Sequence, residues 1–183
     1  MPVKQKERPV MIDVDKCDIT HYPQKVLAGP AAPVNGIDDT IRRLVDKMIE
    51  LMLKHKGVGL AAPQVGVPLR LFIISLDMDK DKVKVFINPT VTPTGELDTM
   101  EEGCLSVPGI STKIRRSTQC TVTATDLDGV EFTEDAEGLY ARCLQHEFDH
   151  INGITIADRM GSAAKIAHRR QLKKLQQEHE QKN

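Results

Sequence analysis

Tryptophan is absent from the sequence, and two tyrosines and four phenylalanines make up its whole aromatic content. Any core must therefore be built from aliphatic side chains. No apolar run approaches the roughly 18 residues that a membrane-spanning helix requires, so no span is expected. Residues 1–18 hold no apolar stretch of the secretory kind and carry acidic side chains that a transit peptide avoids; a cytoplasmic protein is expected. Neither sign of charge dominates. The net charge is −1, which gives no electrostatic ground for a DNA partner. The four cysteines, Cys17, Cys104, Cys120 and Cys143, form no C-x-x-C pair and no dense framework. Free thiols are then the default, and any special cysteine is a ligand or a nucleophile. The glycine-rich stretch 57–66 is not followed by Lys-Ser or Lys-Thr, so it is not a phosphate loop.

What remains is the composition of one ordinary domain: 183 residues, 40% hydrophobic and 28% charged. Residues 1–36 are interrupted by Pro2, Pro9, Pro23, Gly29, Pro30, Pro33 and Gly36 and read as an irregular arm. Over 38–55, Ile41, Leu44, Val45, Met48, Ile49 and Met52 recur at helical spacing, with Asp38 or Asp39 as cap and Gly57 as stop. Residues 69–76 and 83–92 read as strands joined by a polar turn, with Pro89 and Pro93 placing the end of the second strand at an edge or in a loop. A third strand is expected over 118–125, followed by a hairpin turn at Asp128-Gly129 and a short strand over 130–133. A helix follows from about Glu137, with Leu139, Cys143, Leu144 and Phe148 at helical spacing and Gly153 as its stop signal. Residues 162–183 show a second long helical pattern with a thin apolar stripe of Ile166, Leu172 and Leu175. From Lys165 onward it carries six Lys/Arg against two Glu. That tail is either a solvated helix against the body or a basic patch for RNA or an acidic surface.

The chemistry concentrates in Gln145-His146-Glu147-Phe148-Asp149-His150. Histidines at i and i+4 share one helix face, close enough to hold one metal ion, and the glutamate between them can act as a base without being a ligand. By itself the pattern could be an accident of an amphipathic helix, but half-buried polar groups need partners. Cys104, in Glu102-Gly103-Cys104-Leu105-Ser106, would alone be read as a small buried thiol. Together with the two histidines it makes a three-ligand set with one position open, the catalytic rather than the structural arrangement. Gln64, in the Gly- and Ala-rich segment, has an amide able to donate to a developing oxyanion. His21 and His55 need no metal to explain them.

With these stretches in hand, the chain resembles the bacterial-type peptide deformylases. Gly57, Gly59, Ala61, Ala62 and Gln64 match the family's G-x-G-x-A-A-x-Q motif, Glu102 to Ser106 match E-G-C-L-S, and Gln145 to His150 match Q-H-E-x-D-H. The motifs occur in the family's order, and the likeness covers approximately residues 18–160. The expected architecture is α+β. A single compact domain over 1–164, including the arm, would set small β-sheets around a central metal-binding helix, with a basic helical tail over 165–183.

The resemblance implies hydrolytic removal of the formyl group from N-formylmethionyl nascent peptides. Cys104, His146 and His150 would hold the metal and Glu147 would move the proton, while the Gln64 amide and the Leu105 backbone N–H would face the oxyanion. Val58 and Gly59 would pair with the substrate backbone like an added strand, and Leu139 and Cys143 would wall the methionine pocket. Ferrous iron is the implied native metal, with zinc or nickel as substitutes. Arg116 and Asp149 are candidates for an ion pair supporting His150. Two features depart from the family pattern: a long N-terminal arm, and Arg142 where the pocket should open and an apolar residue is expected. Two rival readings are a zincin-like zinc endopeptidase, which takes a downstream His or Glu as third ligand, and a non-catalytic ribosome-associated module with a structural metal.

Overall fold

The computed structural model describes residues 12–181. The part of the expected arm that contains Pro2 and Pro9 lies outside the described residues, as do the last two residues of the tail. The described part of the arm, residues 12–36, is irregular. It contains two short 3-10 turns, Val14–Lys16 and Lys25–Leu27, and touches the body through a parallel bridge between Ala32 and Leu69.

Helix α1 spans Asp39–Lys54, and the Asp38 side chain accepts a hydrogen bond from the Ile41 N–H, the expected cap. Its buried face is Ile41, Leu44, Val45, Met48, Leu51 and Met52. Ile49 is only half-buried, so Leu51 takes the place expected for it.

Five strands follow: β1 Gly59–Ala61, β2 Leu71–Ile74, β3 Lys84–Gly103, β4 Ser111–Thr125 and β5 Glu131–Glu137. They form a single antiparallel sheet in the order β1-β2-β3-β4-β5. β2 reads as a continuous apolar run because both of its faces are covered. Leu71 and Ile73 pack with α1, whereas Phe72 and Ile74 pack with Phe86, Val122 and Leu144 on the opposite side. The strands of small sheets expected from the sequence thus belong to one sheet between two helical layers.

Two strands run further than the sequence suggests. β3 continues past Pro89 and Pro93 to Gly103. The physical reason is its neighbourhood. β2 covers it only from Lys84 to Ile87, and from there on its sheet partner is β4. A proline on such a half-open strand removes no second ladder of hydrogen bonds. Register shifts at Ile87/Thr90 and Thr94/Leu97 absorb the irregularities. β4 begins at Ser111 rather than 118, and its charged residues conceal the alternation. Thr112, Ile114 and Arg116 point inward, so an arginine stands where an apolar side chain is usual.

Helix α2, Gly138–Ile151, packs on the sheet through Ala141, Leu144 and Ile151. The short α3, Ile156–Arg159, leads into α4, Ser162–Glu180. Leu175 is buried and Leu172 half-buried against Val107, Ile110, Ile114, Ile156 and Met160. Ile166, expected in the same stripe, is 76% exposed. No helix among the described residues is long and apolar enough to cross a membrane.

Candidate metal centre and cleft

α2 is unusual in how many polar side chains it buries: Arg142, Gln145, Glu147, Asp149 and His150. Burial of such groups is costly unless each finds a partner. Gln145 docks the helix onto β4, donating from Nε2 to Ser117 O (2.8 Å) and accepting from Ser117 N–H (3.2 Å). This places His146 and His150 one above the other, their ring centroids 4.9 Å apart.

Cys104 reaches them from the end of β3. Gly103 closes that strand, and the turn that follows is fixed by Val107 N–H donating to Cys104 O and Tyr22 N–H donating to Ser106 O. The Cys104 Sγ lies 3.2 Å from His150 Nε2, which is 3.2 Å from His146 Nε2. The donor atoms of Cys104, His146 and His150 all lie within 4.8 Å of one another, and among the described residues this is the one such cluster. One sulfur and two imidazole nitrogens fit a divalent transition metal. Although burial opposes ionisation of Cys104, the adjacent His150 and His146 hold its thiol well below the ordinary thiol range, so the sulfur is a ready thiolate ligand.

Glu147 is buried beside the cluster, and its Oε2 has no hydrogen-bond partner among the described residues. Burial pushes its carboxyl up to about 7 against the opposing pull of His146 and His150. Gly59 explains how the carboxylate fits. A Cβ on Gly59 would stand 2.5 Å from Glu147 Oε1, so the β1 backbone presses directly on the acid. Gln64, in a 3-10 turn after β1, accepts from Ala61 N–H at Oε1 (2.8 Å), which turns its Nε2 toward Cys104 Sγ at 3.5 Å.

Behind the histidines runs a buried ionic network. Glu102 takes a two-pronged contact from Arg116, Nε to Oε1 at 2.7 Å and Nη2 to Oε2 at 3.0 Å. Its Oε2 also accepts from His146 Nδ1 at 2.9 Å. That bond leaves Nε2 of His146 free as a donor to a metal. Burial opposes the Glu102 charge, but hydrogen bonds from His146 and Arg116 hold its carboxyl down at about 2. Arg116 Nη1 further donates to Asp149 Oδ2 (2.7 Å), which Arg159 also grips. The expected Arg116–Asp149 pair is therefore present, but through Glu102 it leads to His146 rather than His150. Neither Glu102 nor Arg159 stood out in the sequence as part of this network. The signal for Glu102 was its place two residues before Cys104, on the strand facing Arg116.

The site opens on a cleft of about 730 Å³, which His150, Arg116, Asp149 and Arg159 support from behind without lining it. Val58, Gly59, Gln64, Cys104, Leu105, Leu139, Cys143, His146 and Glu147 all face it, so the cleft gathers nearly every residue singled out in the sequence. Leu139 is 55% exposed at its rim, whereas Cys143 is buried in its wall. His21 and His55, both exposed, line the mouth, and neither belongs to the metal-ligand cluster.

Comparison with known proteins agrees with this geometry. The sequence model of the polypeptide deformylase family matches residues 16–165. The chain is 42% identical over 165 residues to peptide deformylase of Pseudomonas aeruginosa, covering 90% of this chain and 96% of that one. It is 39% identical over 161 residues to that of Chromobacterium violaceum, covering 88% and 96%. Among solved structures, a peptide deformylase from Legionella pneumophila superimposes with a TM-score of 0.83 at 39% identity, covering 89% of this chain and 96% of that one. Arabidopsis thaliana peptide deformylase 1B in complex with an inhibitor gives 0.86 at 32%, covering 91% and 93%. By motif, fold and sequence alike, the chain belongs to the polypeptide deformylase family.

Proposed function

We propose that this deformylase removes the formyl group from N-formylmethionyl peptides with the residues of the cleft in the following roles. The observation that carries the reading is the convergence of Cys104, His146 and His150 beside a buried Glu147 oxygen that has no partner among the described residues. Those three residues would hold a divalent metal, which would supply Lewis acidity and lower the pKa of the attacking water. Glu147 takes a proton from the attacking water on its carboxylate and delivers it to the leaving amine. A carboxyl poised at about 7 both accepts and releases a proton near neutrality. The Gln64 Nε2 amide and the Leu105 N–H donate to the developing oxyanion. β1 is an edge strand that Val58 leads into. The Val58 carbonyl is taken by Ser75 N–H, so in the stretch Val58-Gly59 the Gly59 backbone is the part best placed to pair with the incoming peptide. Leu139 and Cys143 wall the space for the methionine side chain. Because the formyl carbon bears only hydrogen, a site this closely packed admits it and turns away a larger acyl group.

Ferrous iron is the metal we assign, with zinc or nickel able to substitute. We place the enzyme in the cytoplasm, where nascent chains emerge, and assign the exposed basic side of α4 to ribosome contact. The upstream Cys104, in place of a downstream His or Glu, argues against a zincin-like endopeptidase. Replacing Glu147 by Ala tests the central role. Turnover of formyl-Met-Ala should fall by about 10²–10⁴-fold while metal content and fold persist. Undiminished turnover would remove Glu147 from the mechanism.

A further inference from the structure

Arg142 faces the cleft from one turn before His146 on α2, and it is buried. Its guanidinium is held by acceptors from three places. Nη1 donates to Glu102 Oε1 (2.7 Å) and to Ile114 O (3.0 Å), and Nη2 donates to Asp98 O (3.1 Å). Two of these acceptors are backbone carbonyls on the paired strands β3 and β4, where Met100 lies opposite Ile114 and Asp98 opposite Arg116. Arg142 thus staples α2 to the strand that ends just before Cys104.

The bond to Glu102 is not needed to neutralise that carboxylate, because Arg116 already grips both of its oxygens. What Arg142 adds is direction. It holds Glu102 from the same helix that carries His146, so Arg142, Glu102 and His146 close a loop: guanidinium to Oε1, Oε2 to the imidazole Nδ1. The side chain that forms part of the cleft wall is therefore tied, through one carboxylate, to the ring that presents Nε2 to the metal site.

We propose that Arg142 is a positioning residue that couples the side-chain pocket to the metal-binding histidine. Its stem walls the pocket, and its head, acting through Glu102, sets the orientation of His146. This rests on the reading of His146 as a metal ligand. The residue after the formyl group then influences turnover as well as binding, because it presses on a wall that belongs to the support of the metal site.

The test compares Arg142→Met, which keeps an unbranched stem but removes the guanidinium, with Arg142→Lys, which keeps one charged donor for Glu102. Steady-state kinetics on formyl-Met-Ala would be read beside metal release to a chelator and the absorption of the Co²⁺-loaded proteins. We expect Arg142→Met to lower kcat by about 10–100-fold, with KM changed by less than about threefold. Metal release should quicken by a similar factor and the Co²⁺ bands should shift. Arg142→Lys should recover part of each. Should Arg142→Met fail to fold, the Lys variant still carries the comparison, with intermediate changes in kcat and metal release expected. A raised KM with kcat, metal release and Co²⁺ spectrum unchanged would reduce Arg142 to a pocket wall and overturn the proposal. So would a fall in kcat with metal release and spectrum unmoved. His146→Ala serves as the control for the underlying reading. If that variant held metal as tightly as the unmodified protein, the ligand assignment itself would be wrong, independently of Arg142.

Discussion

Single residues carry the chemistry, and one of the most constrained has no side chain. Gly59 lets the β1 backbone lie against Glu147, and a methyl there would come within 2.5 Å of Oε1 and 2.9 Å of Cδ. Gly59→Ala should displace the acid and lower kcat for formyl-Met-Ala by at least about tenfold, a misplacement effect. Unchanged kinetics would show that the carboxylate has room to move. Glu102 makes a second prediction at this scale. In the metal-free protein its carboxyl lies at about 2 against an ordinary 4.5, because hydrogen bonds to His146 and Arg116 outweigh its burial. A folded-state value below the unfolded one means that its stabilising contribution is present above about pH 4.5. That contribution is lost as the pH falls through about 2. Urea unfolding of the metal-free protein from pH 5 to pH 2 should show this loss, and Glu102→Gln should flatten it. Parallel curves for the two proteins would contradict the account.

Among elements, α1, α2 and α4 were legible in the sequence because 3.6-residue periodicity and their end signals agreed: Asp38 before α1, Gly153 just after α2. The two histidines proposed as metal ligands were legible for a different reason, since His-Glu-x-x-His on a helix is a local geometric statement. The long strands were not. β3 passes through two prolines, and β4 hides Arg116 among its inward positions, so its apolar alternation breaks where the ionic network requires a cation. The Asp149 partner of Arg116 was expected from the family resemblance, but the pairing of Arg116 with Glu102 is a tertiary fact that no local pattern announces. The same reasoning explains α4. Its buried Leu175 packs against Val107 and Ile110, beside the Cys104 turn, and Gln171 Nε2 donates to Pro108 O (3.4 Å). Deleting the helix would therefore disturb the core as well as remove the basic side chains. The cleaner test of ribosome contact reverses charge at the exposed Arg169, Arg170, Lys173 and Lys174 and leaves Leu175 in place. Co-sedimentation with ribosomes should weaken by about tenfold or more at low salt, with activity on a short formyl-peptide retained. Equal co-sedimentation would end that assignment.

At the scale of the whole molecule, the fold is a device for bringing distant chain segments to one point. The sheet carries Cys104 at the end of one strand and Gly59 at its edge, while α2 lies across it with both histidines and the acid. The ionic network ties these layers together beyond the reach of the apolar core, which is not wholly aliphatic, since Phe72 and Phe86 stack within it. Two observations bear most on this arrangement: the three candidate ligand atoms within 4.8 Å of one another, and Glu147 buried beside them. The most direct measurement is anaerobic purification with elemental analysis, followed by a formyl-Met-Ala assay on the native, metal-stripped and Cys104→Ala proteins. The account predicts one transition-metal ion per chain, iron in the native protein, and activity lost on stripping and restored by adding the metal back. It further predicts that Cys104→Ala neither retains the ion nor turns over substrate. Full activity in the stripped protein, or in Cys104→Ala, would contradict it.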